Sequence, residues 1–258
     1  MKSIWTGAIG FGLVNIPVKM YSATTSSSLD LDMLDKKDHA HIKYQRINEN
    51  SGKEVAWGNI VKGYKIGEDY IVLDEEDFEA AAAKKMKTIE ISDFVKEDEI
   101  SSLYFDTPYY LEPDKSGMRP YKLLVAALKK TKKVGVATYV MRNRESLAIL
   151  RAEGEVIILN KIRFQQEIRD TDELVFPTKI PVKPSELKMA ISLIDQLTEK
   201  FDISKYKDTY TDQLLKVIKD KSKGKKIKAS GMKVVHSKSK DIMEQLKASL
   251  DSKKKKAS

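Results

Sequence analysis

The chain has 258 residues and a formal net charge of +9, from 47 Lys+Arg against 38 Asp+Glu. A chain of this size buries about 73% of its unfolded surface, so a core forms without staples and one or two domains are expected. With no cysteine, and with His39, His41 and His236 as its three histidines, disulfides, thiolate zinc, iron–sulfur clusters and cysteine nucleophiles are excluded. Histidine-rich metal chemistry is thin, and a reducing compartment fits.

No apolar stretch reaches the roughly 18 residues of a membrane span. The run from Ile4 to Val18 is broken by Thr6, three glycines, Asn15 and Pro17, and reads as mature protein rather than a secretion signal. The charge is uneven. Residues 1–218 carry a net −1, whereas residues 219–258 carry 14 basic and 4 acidic residues, net +10. A basic tail on a near-neutral body points to a polyanion partner for the tail, against the alternative of a merely solubilising end.

In chain order, residues 1–22 read as extended structure, because Gly7, Gly10 and Gly12 disfavour helix between apolar residues. Thr24 to Ser28 is a polar loop. His39 to Ile47 alternates and predicts a strand, followed by a turn at Asn48-Glu49-Asn50-Ser51-Gly52. Ile60 to Ile66 and Tyr70 to Leu73 predict further strands. Glu75 to Lys87 predicts a helix, with acids in its first turn. Thr88 to Val95 and Leu103 to Leu111 alternate again. Pro120 opens a helix to about Lys130, with the stripe Tyr121, Leu124, Val125 and Leu128. Val134 to Met141 is a strand. Leu147 to Arg151, the turn Ala152-Glu153-Gly154, and Val156 to Leu159 make a hairpin.

The pattern then changes. Pro177, Pro181 and Pro184 mark a connection. Glu186 to Phe201 carries Leu187, Ala190, Ile191, Ile194, Leu197 and Phe201 at helical spacing, and Thr211 to about Lys221 predicts a second helix. A basic linker spans 223–238. A short amphipathic helix follows, with Ile242, Met243, Leu246 and Leu250 on one face, and Lys253 to Lys256 end the chain.

Enzyme signatures are weak. Gly7-x-x-Gly10-x-Gly12 lacks the dinucleotide order, and no Walker lysine occurs. His39 and His41 share a strand face without an obvious third ligand, so no metal and no cofactor is expected. The acidic runs Asp74–Asp77 and Glu97–Glu99 read as solvated. Lys129, Lys130, Lys132 and Lys133 are either phosphate-neutralising groups or a solvated helix end. Arg142 and Arg144, two apart at a strand end, are expected to point the same way, toward phosphate.

Several runs together resemble one family. Ile4-Trp5-Thr6-Gly7-Ala8-Ile9 through Phe11-Gly12-Leu13-Val14-Asn15-Ile16-Pro17-Val18-Lys19 is similar to the start of bacterial Ku proteins. So are Val61-Lys62-Gly63-Tyr64, Tyr104-Phe105-Asp106-Thr107-Pro108-Tyr109-Tyr110-Leu111, Arg142-Asn143-Arg144-Glu145-Ser146-Leu147, Glu186-Leu187-Lys188-Met189-Ala190 and Asp208-Thr209-Tyr210. The chain departs from the usual pattern at His41 and Gln45, where the family more often has arginine or lysine.

The resemblance implies an α+β fold: a Ku-core-like β-barrel with a strand-built DNA-encircling bridge over 1–183, a helical arm over 184–222, the basic linker over 223–238, and a ligase-recruiting helix with a lysine tail over 239–258. It implies a ring-shaped homodimer that binds double-strand DNA ends and recruits an ATP-dependent end-joining ligase, without enzymatic activity, cofactor or membrane, in the cytoplasm and associated with the nucleoid. The DNA-contacting residues are then expected to be Lys43, Arg46, Lys53, Lys62, Arg142 and Arg144, with Lys225, Lys226 and Lys228 from the tail. Ile242, Met243, Leu246 and Leu250 are the expected partner-binding stripe. The alternatives are a DNA end-processing lyase or nuclease, in which a lysine with depressed pKa could form a Schiff base, and a nucleoid-coating protein acting through its tail.

Overall fold

The computed structural model describes residues 1–82, 87–225, 243–247 and 249. The opening extended segment forms β1 (Trp5–Phe11) and β2 (Val14–Ser22), an antiparallel pair in which Ile9 faces Ile16 and Phe11 faces Val14. After a long excursion come α1 (Glu75–Ala82; β3 and β4 precede it and are given below), β5 (Thr88–Lys96) and β6 (Phe105–Pro113). Helix α2 (Met118–Thr131) leads into β7 (Lys133–Met141), β8 (Arg144–Glu153) and β9 (Val156–Ile162).

Seven of these strands close into a barrel in the order β1-β2-β6-β9-β8-β7-β5. Every neighbouring pair is antiparallel except the closing one. There β1 runs parallel to β5 through Ala8–Thr88, Ile9–Ile89 and Gly10–Glu90. Gly7 makes that approach possible: a Cβ at this position would stand 2.2 Å from the Lys87 carbonyl oxygen.

The barrel interior takes alternate residues from all seven strands, among them Ile9, Val18, Ile89, Leu111, Tyr139, Leu150 and Leu159. The stripe expected on α2 (Tyr121, Leu124, Val125, Leu128) joins this same cluster. A smaller cluster of Val134, Ile149 and Ile162 uses the opposite faces of β7, β8 and β9. Tyr139 packs edge to face on Trp5, with ring centroids 6.4 Å apart. Burial pushes its phenol up to about 12.

The excursion contains β3 (Lys62–Ile66) and β4 (Asp69–Leu73), a separate two-stranded sheet. The strand expected over His39 to Ile47 is not formed. This segment has only isolated bridges, Leu34 with His41 and Ile47 with Glu54. Alternation alone does not hold a strand whose two faces are both exposed and which has no sheet or helix to pack on. The turn after it is present, and Asn48 Oδ1 accepts from the Asn50 and Ser51 amides.

Other boundaries shift for local reasons. Helix α2 starts at Met118 rather than Pro120, because a proline in the first turn lacks only an N–H that would have no intrahelical acceptor. Lys87, expected to end the first helix, has φ 67° and lies in a turn, and residues 83–86 lie outside the described residues.

By contacts the chain divides into two units, Met1–Ser26 with Leu31–Asp170, and Ser27–Asp30 with the residues from Thr171 onward. The second unit contains α3 (Pro184–Leu197) and α4 (Thr209–Ser222). Helix α3 stops short of Phe201. Thr198 ends it, donating its hydroxyl to the Ile194 carbonyl at 2.8 Å, and Phe201 stacks on Tyr206 instead. Asp208 caps α4. Its carboxylate accepts from the hydroxyl and amide of Thr211, and those bonds hold it below the usual carboxylate range. Residues 243–247 are helical.

Tyr121 joins helix to barrel. Its buried hydroxyl donates to the Leu111 carbonyl at 2.6 Å and accepts from the Ile157 amide at 2.7 Å. Leu111 and Ile157 are the last paired residues of the β6–β9 ladder, so the phenol continues the ladder where backbone pairing ends. Tyr121→Phe is expected to cost about 2 kcal/mol by orphaning two buried backbone groups, and to lower the thermal midpoint by roughly 4–8 °C. An unchanged midpoint by calorimetry would show that the hydroxyl does not stitch the ladder.

Candidate nucleic-acid interface

Residues 31–73 join β2 to α1 with almost nothing buried. Only Val55 and Leu73 are not exposed. Apolar side chains including Met33, Tyr44, Ile47, Val61, Tyr64 and Tyr70 stand exposed. The segment holds seven basic and seven acidic residues, so contact with phosphate here depends on where individual cations stand and not on net charge.

Four expected contact residues, Lys43, Arg46, Lys53 and Lys62, lie in this excursion. The Arg46 guanidinium sits 5.0 Å above the ring of Trp57, which is 73% exposed. Lys62 Nζ sits 4.8 Å above the Phe78 ring. Such contacts hold a cation in place without neutralising it. Lys43 and Lys53 form no ion pair among the described residues. Sequence reading missed Trp57 and Lys65, the latter 5.9 Å above the Tyr70 ring. The available signal was aromatic residues interleaved with cations.

Arg142 and Arg144 occupy the β7–β8 hairpin, but not as two residues of one strand. Met141 pairs with Arg144, leaving Arg142 and Asn143 as a two-residue turn at φ 55° and 58°. Two positive φ values identify a type I′ turn, which matches the twist of the flanking strands. Side-chain alternation therefore does not relate the two arginines. Arg144 pairs with Glu167 at 3.4 Å, while Arg142 forms no ion pair among the described residues. Three other two-residue hairpins of this unit place Gly12, Gly67 and Gly154 at the first turn position. Only here does an arginine take the left-handed conformation that glycine and asparagine adopt at lower cost. The signal in the sequence was Asn143, flanked by alternating residues on both sides.

In the second unit, Lys225 pairs with Asp220 at 3.0 Å. Lys226 and Lys228 lie outside the described residues, as do Ile242 and Leu250. Met243 and Leu246 are on the helical segment, three residues apart and half-buried. His41 Nδ1 stands 4.0 Å from an Asp32 carboxylate oxygen. No group of three or more His, Asp or Glu could hold a metal ion among the described residues, and no helix among them is long and apolar enough to cross a membrane.

The turn makes a trade-off measurable. Arg142→Asn should raise stability by about 1 kcal/mol through relief of backbone strain, which moves the thermal midpoint up by roughly 2–4 °C. If the guanidinium meets phosphate, the same variant should lower duplex affinity and reduce the salt slope by about 1. A stabilised variant with unchanged affinity and slope would remove Arg142 from the interface.

Residues 10–189 match the family model described as the Ku70/Ku80 beta-barrel domain. The non-homologous end joining protein Ku of Opitutus terrae is 43% identical over 223 residues, covering 86% of this chain and 80% of that protein. The protein of the same name from Coxiella burnetii is 37% identical over 262 residues, covering 98% and 96%. That of Bacillus subtilis is 40% identical over 228 residues, covering 87% and 73%. None of these names is that of an enzyme. The match begins within β1, takes in every other strand of the closed barrel and reaches into α3, and by that match and these identities the chain belongs to the Ku family of non-homologous end joining proteins.

Proposed function

We propose that this chain is a non-enzymatic clamp for double-strand DNA ends, that it acts as a ring-shaped homodimer, and that its C-terminal segment recruits an ATP-dependent DNA ligase. The observation that carries this reading is the excursion of residues 31–73, exposed almost throughout a single chain yet rich in apolar and aromatic side chains. An isolated two-stranded sheet is marginal in water, and exposed apolar surface of this extent marks an interface. A second copy supplies the missing cover, and two-fold pairing of two such excursions closes a ring. Lys43, Arg46, Lys53, Lys62 and Arg142 then face phosphate. The names of the relatives support the end-joining context.

A ring retains DNA by topology, so its lining does not need a strongly basic field. The near-neutral body suits this, because side-on binding to unbroken duplex stays weak. The basic tail adds salt-sensitive affinity through Lys225, Lys226 and Lys228. Linear duplex should be bound as a 2:1 protein complex and trapped when its ends are then sealed, whereas relaxed closed circles should be left free at moderate salt. Equal binding to closed circles would overturn the ring and favour a nucleoid-coating protein. A covalent protein–DNA adduct trapped by borohydride on abasic duplex would instead favour a lyase.

Ligase recruitment is assigned to the stripe Ile242, Met243, Leu246 and Leu250. A helix this short is marginal alone, and a tethered apolar stripe suits recognition in a partner's groove. Leu246→Asp should abolish stimulation of ligation, at a cost of at least ~2 kcal/mol to docking, while dimerisation and end binding persist. Normal stimulation by the variant, or loss of the dimer, would refute the assignment.

A further inference from the structure

Helix α2 carries more apolar surface than the barrel core uses. Tyr121, Leu124, Val125 and Leu128 are buried, whereas Leu123 is 69% exposed and Ala127 is exposed. Leu123 and Ala127 are four residues apart, so they form a second ridge beside the core-facing stripe. Phe11 of β1 and Phe94 of β5 meet edge to face, with centroids 6.3 Å apart at 89°, and Phe94 remains 40% exposed. These side chains, with Leu128 and Lys133, wall a groove of about 510 Å³. It lies beside the strands that close the barrel.

Among the residues that wall the groove the one charged side chain is Lys133, and Lys130 and Lys132 lie within three residues of it in the chain. Residues 118–133 hold six basic side chains and no acidic one. Glu155 takes Lys129 at 3.0 Å, but Lys130, Lys132 and Lys133 form no ion pair among the described residues. The helix dipole accounts for lysines in the last turn. It also favours Lys132 at the left-handed cap, but reaches Lys133 beyond it only weakly.

We propose that this groove docks an acidic amphipathic peptide of a partner protein. Apolar side chains of the peptide fill the space between Leu123 and the Phe11–Phe94 pair, and its carboxylates meet Lys130, Lys132 and Lys133. Duplex DNA would use the lysines but leaves an apolar groove wet. A peptide with apolar anchors and acidic flanks satisfies both features, and an aromatic-walled pocket rimmed by charge is the usual form of an interface anchor site. The inference stands apart from the clamp reading and uses none of the residues assigned to DNA or ligase.

The test uses the full chain, with short linear duplex present in excess so that the tail is occupied. The probe is a fluorescein-labelled peptide of roughly 15 residues, made of Leu, Phe, Ala and Glu with apolar residues on one helical face. Anisotropy should show saturable binding. Leu123→Asp should weaken it by about tenfold or more, as should Lys132→Glu combined with Lys133→Glu, with the fold retained and the thermal midpoint of the charge-reversed variant lowered by only a few degrees, since all three positions are exposed. A peptide with Lys in place of Glu should bind at least about tenfold more weakly. Leu123→Ser provides the same reading if the aspartate variant folds poorly. Undiminished binding by the Leu123 variants, or equal binding of the charge-inverted peptide, would overturn the proposal. So would loss of duplex binding or of anionic-vesicle binding by Leu123→Asp with peptide binding intact, since the face would then belong to DNA or lipid. Of these outcomes, only the duplex result bears on the clamp as well.

Discussion

The parallel pairing of β1 with β5 governs the rest of the first unit. It joins strands separated by the whole excursion and spans three residue pairs, Ala8–Thr88, Ile9–Ile89 and Gly10–Glu90. One further bond secures it, from the Ala8 amide to the Lys87 carbonyl at 2.9 Å. At the other end of the excursion, the Ala23 amide donates to the Pro108 carbonyl at 3.3 Å. The barrel thus holds both ends of a long segment that has no core of its own. Closure entropy grows slowly with loop length, so a well-packed barrel can carry such an insertion at little extra cost. Closure also removes free sheet edges, leaving the excursion as the unit's exposed pairing surface.

Cations are presented here by geometry more than by abundance. Arg46 and Lys62 lie over aromatic rings, Arg144 lies against Glu167, and Arg142 sits at a hairpin tip in a conformation that arginine adopts at a cost. Strain of this kind persists where the surrounding structure over-determines it, and the seven-residue register of β7 against β8 does so here. The excursion as a whole is electrically balanced. Any recognition of a polyanion by it therefore rests on the position of single cations and not on net charge.

The second unit follows the same economy on helices. In α3, Leu187, Ile191, Ile194 and Leu197 recur at helical spacing, yet none of them is buried. An amphipathic face left in water is stable only beside something that covers it. Local chemistry is nevertheless complete in α4, whose Asp208 cap satisfies an amide that helix formation leaves without a partner.

The sequence by itself determined the elements whose signal is local and redundant. The sequence placed β5 to β9 to within a few residues and read residues 1–22 as extended without dividing them into β1 and β2, and the α2 stripe was read residue for residue, because apolar periodicity and burial are the same fact seen twice. The long shared runs carried the family. What only tertiary structure decided was whether a local pattern found a partner. His39 to Ile47 alternates like a strand but has no sheet to join, so it stays irregular. Phe201 continues the α3 stripe but stacks on Tyr206 outside the helix. Arg142 and Arg144 look like neighbours on a strand face, until the β7–β8 register makes one of them a turn residue. The groove beside α2 was invisible for the same reason: Phe11, Phe94 and Leu123 are distant in the chain, and only barrel closure brings β1, β5 and the helix together. Periodicity encodes which residues want burial, whereas pairing register and chain closure decide which of them obtain it.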